Sequence, residues 1–162
     1  MNKQFTAVMP ISAYPFHLGH VALFTRAEAV FGQGKVLILV CNNSSKRYSA
    51  YDRMEFFRNY HETFPAECCD GLVADYCQEN GIKFIVRGIR NARDFDYENE
   101  ISNFNEMFGI QTIFLPAPSG MERYNSSKIR ELLKYGKLRE ANAMCPFGLE
   151  EELEKLAKEL RK

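Results

Sequence analysis

Apolar and polar positions along this chain fall into short runs that alternate between two periodicities. Phe5–Met9 is a brief apolar stretch closed by Pro10, which predicts a buried strand. After a loop to Leu18, Gly19–Phe31 carries Val21, Leu23, Phe24, Ala27 and Val30 at helical spacing. Lys35–Val40 (KVLILV) is short, rich in branched residues and bounded by Gly34 and Asn42, and it predicts a second strand. Ala50–Tyr60 and Gly71–Glu79 read as helices, and Phe84–Val86 reads as a strand ending abruptly in Arg87. Asp94–Phe108 is a long amphipathic helix, and Thr112–Leu115 is a strand stopped by Pro116. Asn125–Tyr135 predicts a helix with polar residues at its start and Gly136 past its end. Leu149–Lys162 closes the pattern as a charged amphipathic helix.

Strands alternating with helices imply parallel pairing through right-handed crossovers. The expected fold is therefore α/β, a single Rossmann-like doubly wound parallel five-stranded sheet flanked by helices. No repeat, low-complexity tract or linker interrupts the pattern, so residues 1–162 are expected to form a single domain. In such sheets ligands bind beyond the carboxyl ends of the strands, so the residues just after each strand carry the functional information.

The first strand is followed by a loop and then by His17-Leu18-Gly19-His20, two histidines flanking a glycine where a helix opens. A helix N-terminus presents free N–H groups and positive partial charge, which favour phosphate. The imidazoles add donors there, and Gly19 gives a phosphate access to the backbone. The plain alternative is a pair of surface histidines at a cap. Lys46 and Arg47 follow the second strand in a polar loop, where cations are often merely solvated. After Val86 come Arg87, Gly88, Ile89 and Arg90, with Arg93 close behind. Guanidinium forks match phosphate oxygens bidentately. Pairing of Arg87 and Arg90 with Asp94, Asp96 or Glu98, merely pinning a helix start, is the structural alternative. Finally, Tyr124-Asn125-Ser126-Ser127-Lys128-Ile129-Arg130 places small polar side chains at a late helix start, where they can cap the helix and also cradle an anion, with Arg130 open to solvent.

Composition narrows the choices. Lys plus Arg equals Asp plus Glu at 21 each, so no basic excess supports non-specific nucleic-acid binding. Anion affinity must come from a local cluster. No apolar run reaches the roughly 18 residues of a spanning helix, and the opening residues turn polar too soon for a signal peptide. The five cysteines are odd in number and form no CxxC pair, which points to reduced thiols, a cytoplasmic location and no metal-ligating set.

With these residues assembled, the chain resembles the HxGH nucleotidylyltransferases through His17–His20 and through the serine-containing segment Asn125–Glu131. Arg87-Gly88-Ile89-Arg90 followed by Asp94-Phe95-Asp96-Tyr97-Glu98 is similar to the RGxR…DFxYE segment of bacterial phosphopantetheine adenylyltransferases, and the similarity runs from about Phe5 to Lys162. The resemblance implies transfer of AMP from ATP to 4′-phosphopantetheine, giving dephospho-coenzyme A and pyrophosphate, with Mg²⁺ accompanying ATP. It implies that His20, Lys46 and Arg90 act in catalysis. It places Ser12, Ala13, His17, His20, Gly88, Ile89, Arg90, Glu98, Tyr124, Asn125, Ser126 and Ser127 on the nucleotide. Ser12, Lys46, Val73 and Arg87 would hold the acceptor. It further implies a homohexamer, and dephospho-coenzyme A or coenzyme A as product or inhibitor. The first loop departs from the family's Pro-Gly-Ser/Thr-Phe-Asp-Pro, reading Pro10-Ile11-Ser12-Ala13-Tyr14-Pro15. Ile11 has no cheap access to a glycine-only backbone, so this loop is expected to take its own path. Two rival readings remain at this level. One keeps the chemistry with another phosphorylated acceptor such as nicotinate mononucleotide, and the other is a non-catalytic ATP or coenzyme A binding module.

Overall fold

The computed structural model describes residues 4–42 and 48–162. Five strands, β1 (Ala7–Ile11), β2 (Val36–Cys41), β3 (Ala66–Cys69), β4 (Phe84–Ile89) and β5 (Gln111–Pro116), form one sheet in the order β3-β2-β1-β4-β5. Every pairing is parallel. Seven helices among the described residues connect and cover them: α1 (Leu18–Phe31), α2 (Ala50–Arg53), α3 (Val73–Glu79), α4 (Ala92–Glu106), α5 (Ser126–Lys134), α6 (Leu138–Asn142) and α7 (Glu150–Leu160). This is the doubly wound α/β sheet expected from the alternating periods.

The inner strands β1 and β2 are apolar on both faces because helices cover both sides. Met9, Ile38 and Val40 point into one core with Phe24 of α1, Ile129 and Leu133 of α5, and Leu153 of α7. Val8, Leu37 and Leu39 point into the other, with Ala74 and Cys77 of α3 and Ile110. Successive strand residues therefore alternate between cores, as the period of two requires.

Several expected boundaries move, each for a physical reason. β1 runs through Pro10 to Ile11 instead of stopping at Met9. Beyond Val8, β1 pairs only with β2, so the N–H that proline lacks falls on the side where the β4 ladder has already ended. β4 continues past Arg87 to Ile89, carried by pairing of Gly88 with Leu115 and of Ile89 with Pro116. The expected helix Ala50–Tyr60 is broken. α2 gives way to a 3₁₀ turn at Met54–Phe57, where the adjacent Phe56 and Phe57 both enter the core. A 3₁₀ stretch is short by nature and commonly closes an α-helix at its C-terminal end, so the segment stops where these two aromatics enter the core. β3 and α6 were not among the segments read from the hydrophobic pattern. β3 is a four-residue edge strand containing Glu67, and α6 is five residues long, so neither spans enough residues to reveal a period.

Candidate functional site

The carboxyl ends of β1, β2 and β4 and the N-terminal ends of α1, α4 and α5 enclose a cavity of about 720 Å³. Ser12, His17, His20, Val73, Arg87, Gly88, Arg90, Glu98, Tyr124, Asn125, Ser126 and Ser127 all line it. Residues separated by more than a hundred positions thus converge where the topology predicts a ligand. Two expected contacts do not reach the wall. Ala13 is wholly buried in the core, and Ile89 lies in β4 away from the lining. Lys46 falls outside the described residues.

The histidines cap α1 in a specific way. His17 is the N-cap, and its Nδ1 accepts the Gly19 N–H at 3.1 Å. The His20 Nδ1 accepts the His17 N–H at 3.2 Å, closing a reciprocal capping box. Because each Nδ1 accepts, each neutral ring carries its proton on Nε2 as a donor. The two rings stack at 3.7 Å between centroids, and Phe16 stacks on His20 at 5.7 Å. Burial, reinforced by Arg90, pulls the His17 pKa down to about 4. Burial, then His17, Arg87 and Arg90, holds His20 well below its ordinary value. The site thus offers neutral imidazole donors at neutral pH.

Gly19 lines the cavity and also meets a demand internal to the chain. A Cβ there would sit 2.9 Å from Cε1 and Nδ1 of His17 and 3.2 Å from the Tyr124 carbonyl oxygen. The missing side chain makes room for the capping imidazole. Gly88 lies within β4 and not in a turn, and a Cβ there would approach Leu23 of α1 at 3.1 Å. It permits close helix–sheet packing.

The arginines adopt the paired arrangement weighed above and line the cavity at the same time. Arg87 meets Glu98 bidentately, Nε to Oε2 at 2.8 Å and Nη2 to Oε1 at 2.7 Å, while Nη1 donates to the Pro10 carbonyl at 2.7 Å. Arg90 donates through Nε to Asp94 at 2.9 Å. Both guanidiniums are oriented by carboxylates of α4, and Arg90 remains about half exposed. Glu98, 7% exposed, is committed to Arg87.

In the first loop the strain does not fall on Ile11. Ile11 is ordinary strand, whereas Ala13 takes a positive φ of 47° and is the only non-glycine residue to do so among the described residues. The Tyr14–Pro15 peptide is cis. Arg130, expected to face solvent, instead lines the cavity. It donates to the Tyr14 carbonyl at 2.5 Å and to Ser127 Oγ at 3.1 Å, with its guanidinium carbon 4.8 Å from the centre of the Tyr14 ring. Asn125 caps α5 through the Lys128 N–H at 2.8 Å, and Ser126 Oγ donates to the Pro15 carbonyl at 3.2 Å.

Asn105, absent from the residues singled out by sequence, is 6% exposed and lines the cavity. Glu98, Ile101 and Asn105 recur at helical spacing on the face of α4 toward the cavity, which is the signal that would have found it. Among the described residues, no cluster of three His, Cys, Asp or Glu side chains could hold a metal. The wall presents cationic and neutral donors, with the Glu98 and Asp94 carboxylates paired to Arg87 and Arg90, around a void large enough for a nucleotide and a second phosphate ester.

The sequence profile of the cytidylyltransferase-like family matches residues 13–132. The chain is 33% identical to a phosphopantetheine adenylyltransferase of Kocuria rhizophila over 135 residues, which is 80% of this chain and 86% of that one. It is 35% identical to the Paenarthrobacter aurescens enzyme of the same name, over 78% of this chain and 79% of that one. The Christiangramia forsetii relative is 34% identical over 80% of this chain and 89% of its own. In fold, the chain is similar to Thermotoga maritima TmcAL, solved with alpha-thio ATP, at a TM-score of 0.62 and 11% identity, over 96% of this chain and 56% of that one.

Proposed function

The chain belongs to the phosphopantetheine adenylyltransferase family, and on that premise we propose that its cavity joins ATP to 4′-phosphopantetheine, releasing pyrophosphate and dephospho-coenzyme A. The observation that carries this reading is the convergence of His17, His20, Arg87, Arg90 and the α5 N-terminus on one cavity, with both imidazoles neutral.

The chemistry asks for little more. The acceptor phosphate is already mostly dianionic near pH 7, its second pKa being about 6. One of its oxygens forms a bond to the α-phosphorus of ATP while the bond from that phosphorus to the bridging oxygen breaks, and pyrophosphate departs with the electron pair. No proton must be removed from the nucleophile, so no general base is required. Alignment and neutralisation of developing charge do the work. In this reading His20 Nε2–H and Arg90 donate to the oxygens that gain charge. Arg87 and Ser12 hold the acceptor phosphate, together with Lys46. Tyr124, Asn125, Ser126 and Ser127 enclose the triphosphate.

The described side chains do not form a metal cage. Mg²⁺ would therefore be held by the nucleotide's own phosphates and retained waters, neutralising charge on ATP. Two wider proposals accompany the site. A homohexamer in the cytoplasm is supported by the family resemblance. Coenzyme A and its dephospho form are expected to compete for the cavity as product-like ligands. No helix among the described residues is long and apolar enough to cross a membrane.

The direct test incubates purified protein with ATP, Mg²⁺ and 4′-phosphopantetheine and follows pyrophosphate and product mass. Catalytic appearance of dephospho-coenzyme A supports substrate and reaction together. ATP binding with no product would shift the reading to another acceptor or to a binding module, with the Ile11–Tyr14 substitutions as the cause.

A further inference from the structure

Arg53, the last residue of α2, is 1% exposed and takes no part in the proposed chemistry. It makes no ion pair among the described residues. Every hydrogen bond it makes there goes to a backbone carbonyl. Nε donates to Tyr48 and Ser49, each at 3.2 Å, Nη2 donates to Cys41 at 2.8 Å, and Nη1 donates to Ser12. These carbonyls come from three separate places: the loop after β1, the carboxyl end of β2 and the turn entering α2. A buried cation without a carboxylate partner is costly, so its hydrogen bonds must fix something the fold cannot otherwise hold.

The Ser12 contact shows what that is. Ser12 stands on the cavity wall, whereas Arg53 is not part of that wall. The Ser12 carbonyl is therefore drawn behind the loop, with its negative end away from the space the phosphates would occupy. The Ser12 hydroxyl makes no hydrogen bond among the described residues. The next residue, Ala13, holds a positive φ with no glycine to ease it. A loop of this conformation needs an external hold, and a planar fork of five donors supplies one.

We propose that Arg53 is a positioning residue for adenylyl transfer, fixing Ser12 from behind so that its hydroxyl faces the substrate phosphates. The inference rests on the function proposed above, but its first test does not.

In Arg53→Lys a single ammonium replaces the fork and cannot reach all the acceptors together. Without any ligand, the amides of residues 11–14 are expected to exchange with solvent at least about tenfold faster than in the parent, while those of β5 stay unchanged. Unchanged exchange in the loop overturns the proposal whatever the substrate proves to be. With ATP and 4′-phosphopantetheine, Arg53→Lys is expected to lose about 10–100-fold in kcat/KM, the scale of one lost charge-assisted hydrogen bond. In a Ser12→Ala background the same change is expected to cost less than about threefold, because the group being positioned is gone. Equal losses in both backgrounds overturn the proposal and leave Arg53 a structural residue only. Ile110→Ala, in the core on the other face of the sheet, is the control and is expected to be additive with Ser12→Ala. If Arg53→Lys does not fold, Arg53→Gln, which removes the buried charge and keeps an amide donor, goes through the same measurements. Absence of turnover in the parent protein would sink the function and leave the exchange result to decide whether Arg53 holds the loop.

Discussion

Replacing His17 with Asn keeps an acceptor at the N-cap of α1 and removes a group that titrates in the acid range. In the folded chain burial and Arg90 hold the His17 pKa at about 4, against an ordinary 6.5. Above pH 6.5 the ring is neutral in both folded and unfolded states and contributes no pH dependence. Between pH 6.5 and about 4 the unfolded chain takes up a proton that the folded chain refuses, so stability falls as the pH falls. Below about 4 both states are protonated and the loss is complete. With about 1.36 kcal/mol for each unit of pKa, the gap amounts to about 3 kcal/mol, a sizeable part of a domain's stability. The assay is urea unfolding at pH 7.5, 6.5, 5.5 and 4.5, comparing wild type with His17→Asn. The variant is expected to be less stable at pH 7.5, since it loses the stack on His20, and to lose less stability on acidification. Carboxylates that titrate in this range are common to both proteins and cancel in the comparison. Parallel curves for the two proteins between pH 6.5 and 4.5 would refute the buried, neutral His17.

Three further outcomes follow from the site. His20→Ala is expected to lower turnover about 10²–10³-fold with ATP affinity little changed, measured by steady-state kinetics beside calorimetry, because one donor to the developing charge is lost. Arg87→Ala is expected to raise the KM for the acceptor far more than that for ATP, and equal changes would contradict the division of the site. Gly19→Ala puts a methyl group 2.9 Å from the His17 ring and is expected to displace that cap, costing about 1–3 kcal/mol in urea unfolding together with a fall in turnover.

Much of the fold was legible because the central strands announce themselves locally. KVLILV can bury residues on both faces only as an inner strand of a covered parallel sheet. Glu67 and the four-residue length hid β3. The chemistry was legible for a topological reason. Once strands alternate with helices, residues following strands must gather at one edge of the sheet, so the sequence alone groups His17, His20, Arg87 and Arg90. The demand that the His17 ring places on Gly19 was not legible, because spacing cannot tell a phosphate from the protein's own imidazole as the neighbour.

The sequence by itself determined the α/β class, the edge of the sheet that binds and the donor character of the site, since all three depend on periodicity and on which residues follow strands. Tertiary structure alone decided which groups are charged and which way they face. The neutrality of the histidines comes from burial and from Arg90 and Arg87 on a distant strand and its exit. The pairing of Arg87 with Glu98 bridges β4 and α4. The hold of Arg53 on Ser12 spans 41 positions and ends on a backbone carbonyl, which every residue possesses and no side-chain pattern can mark.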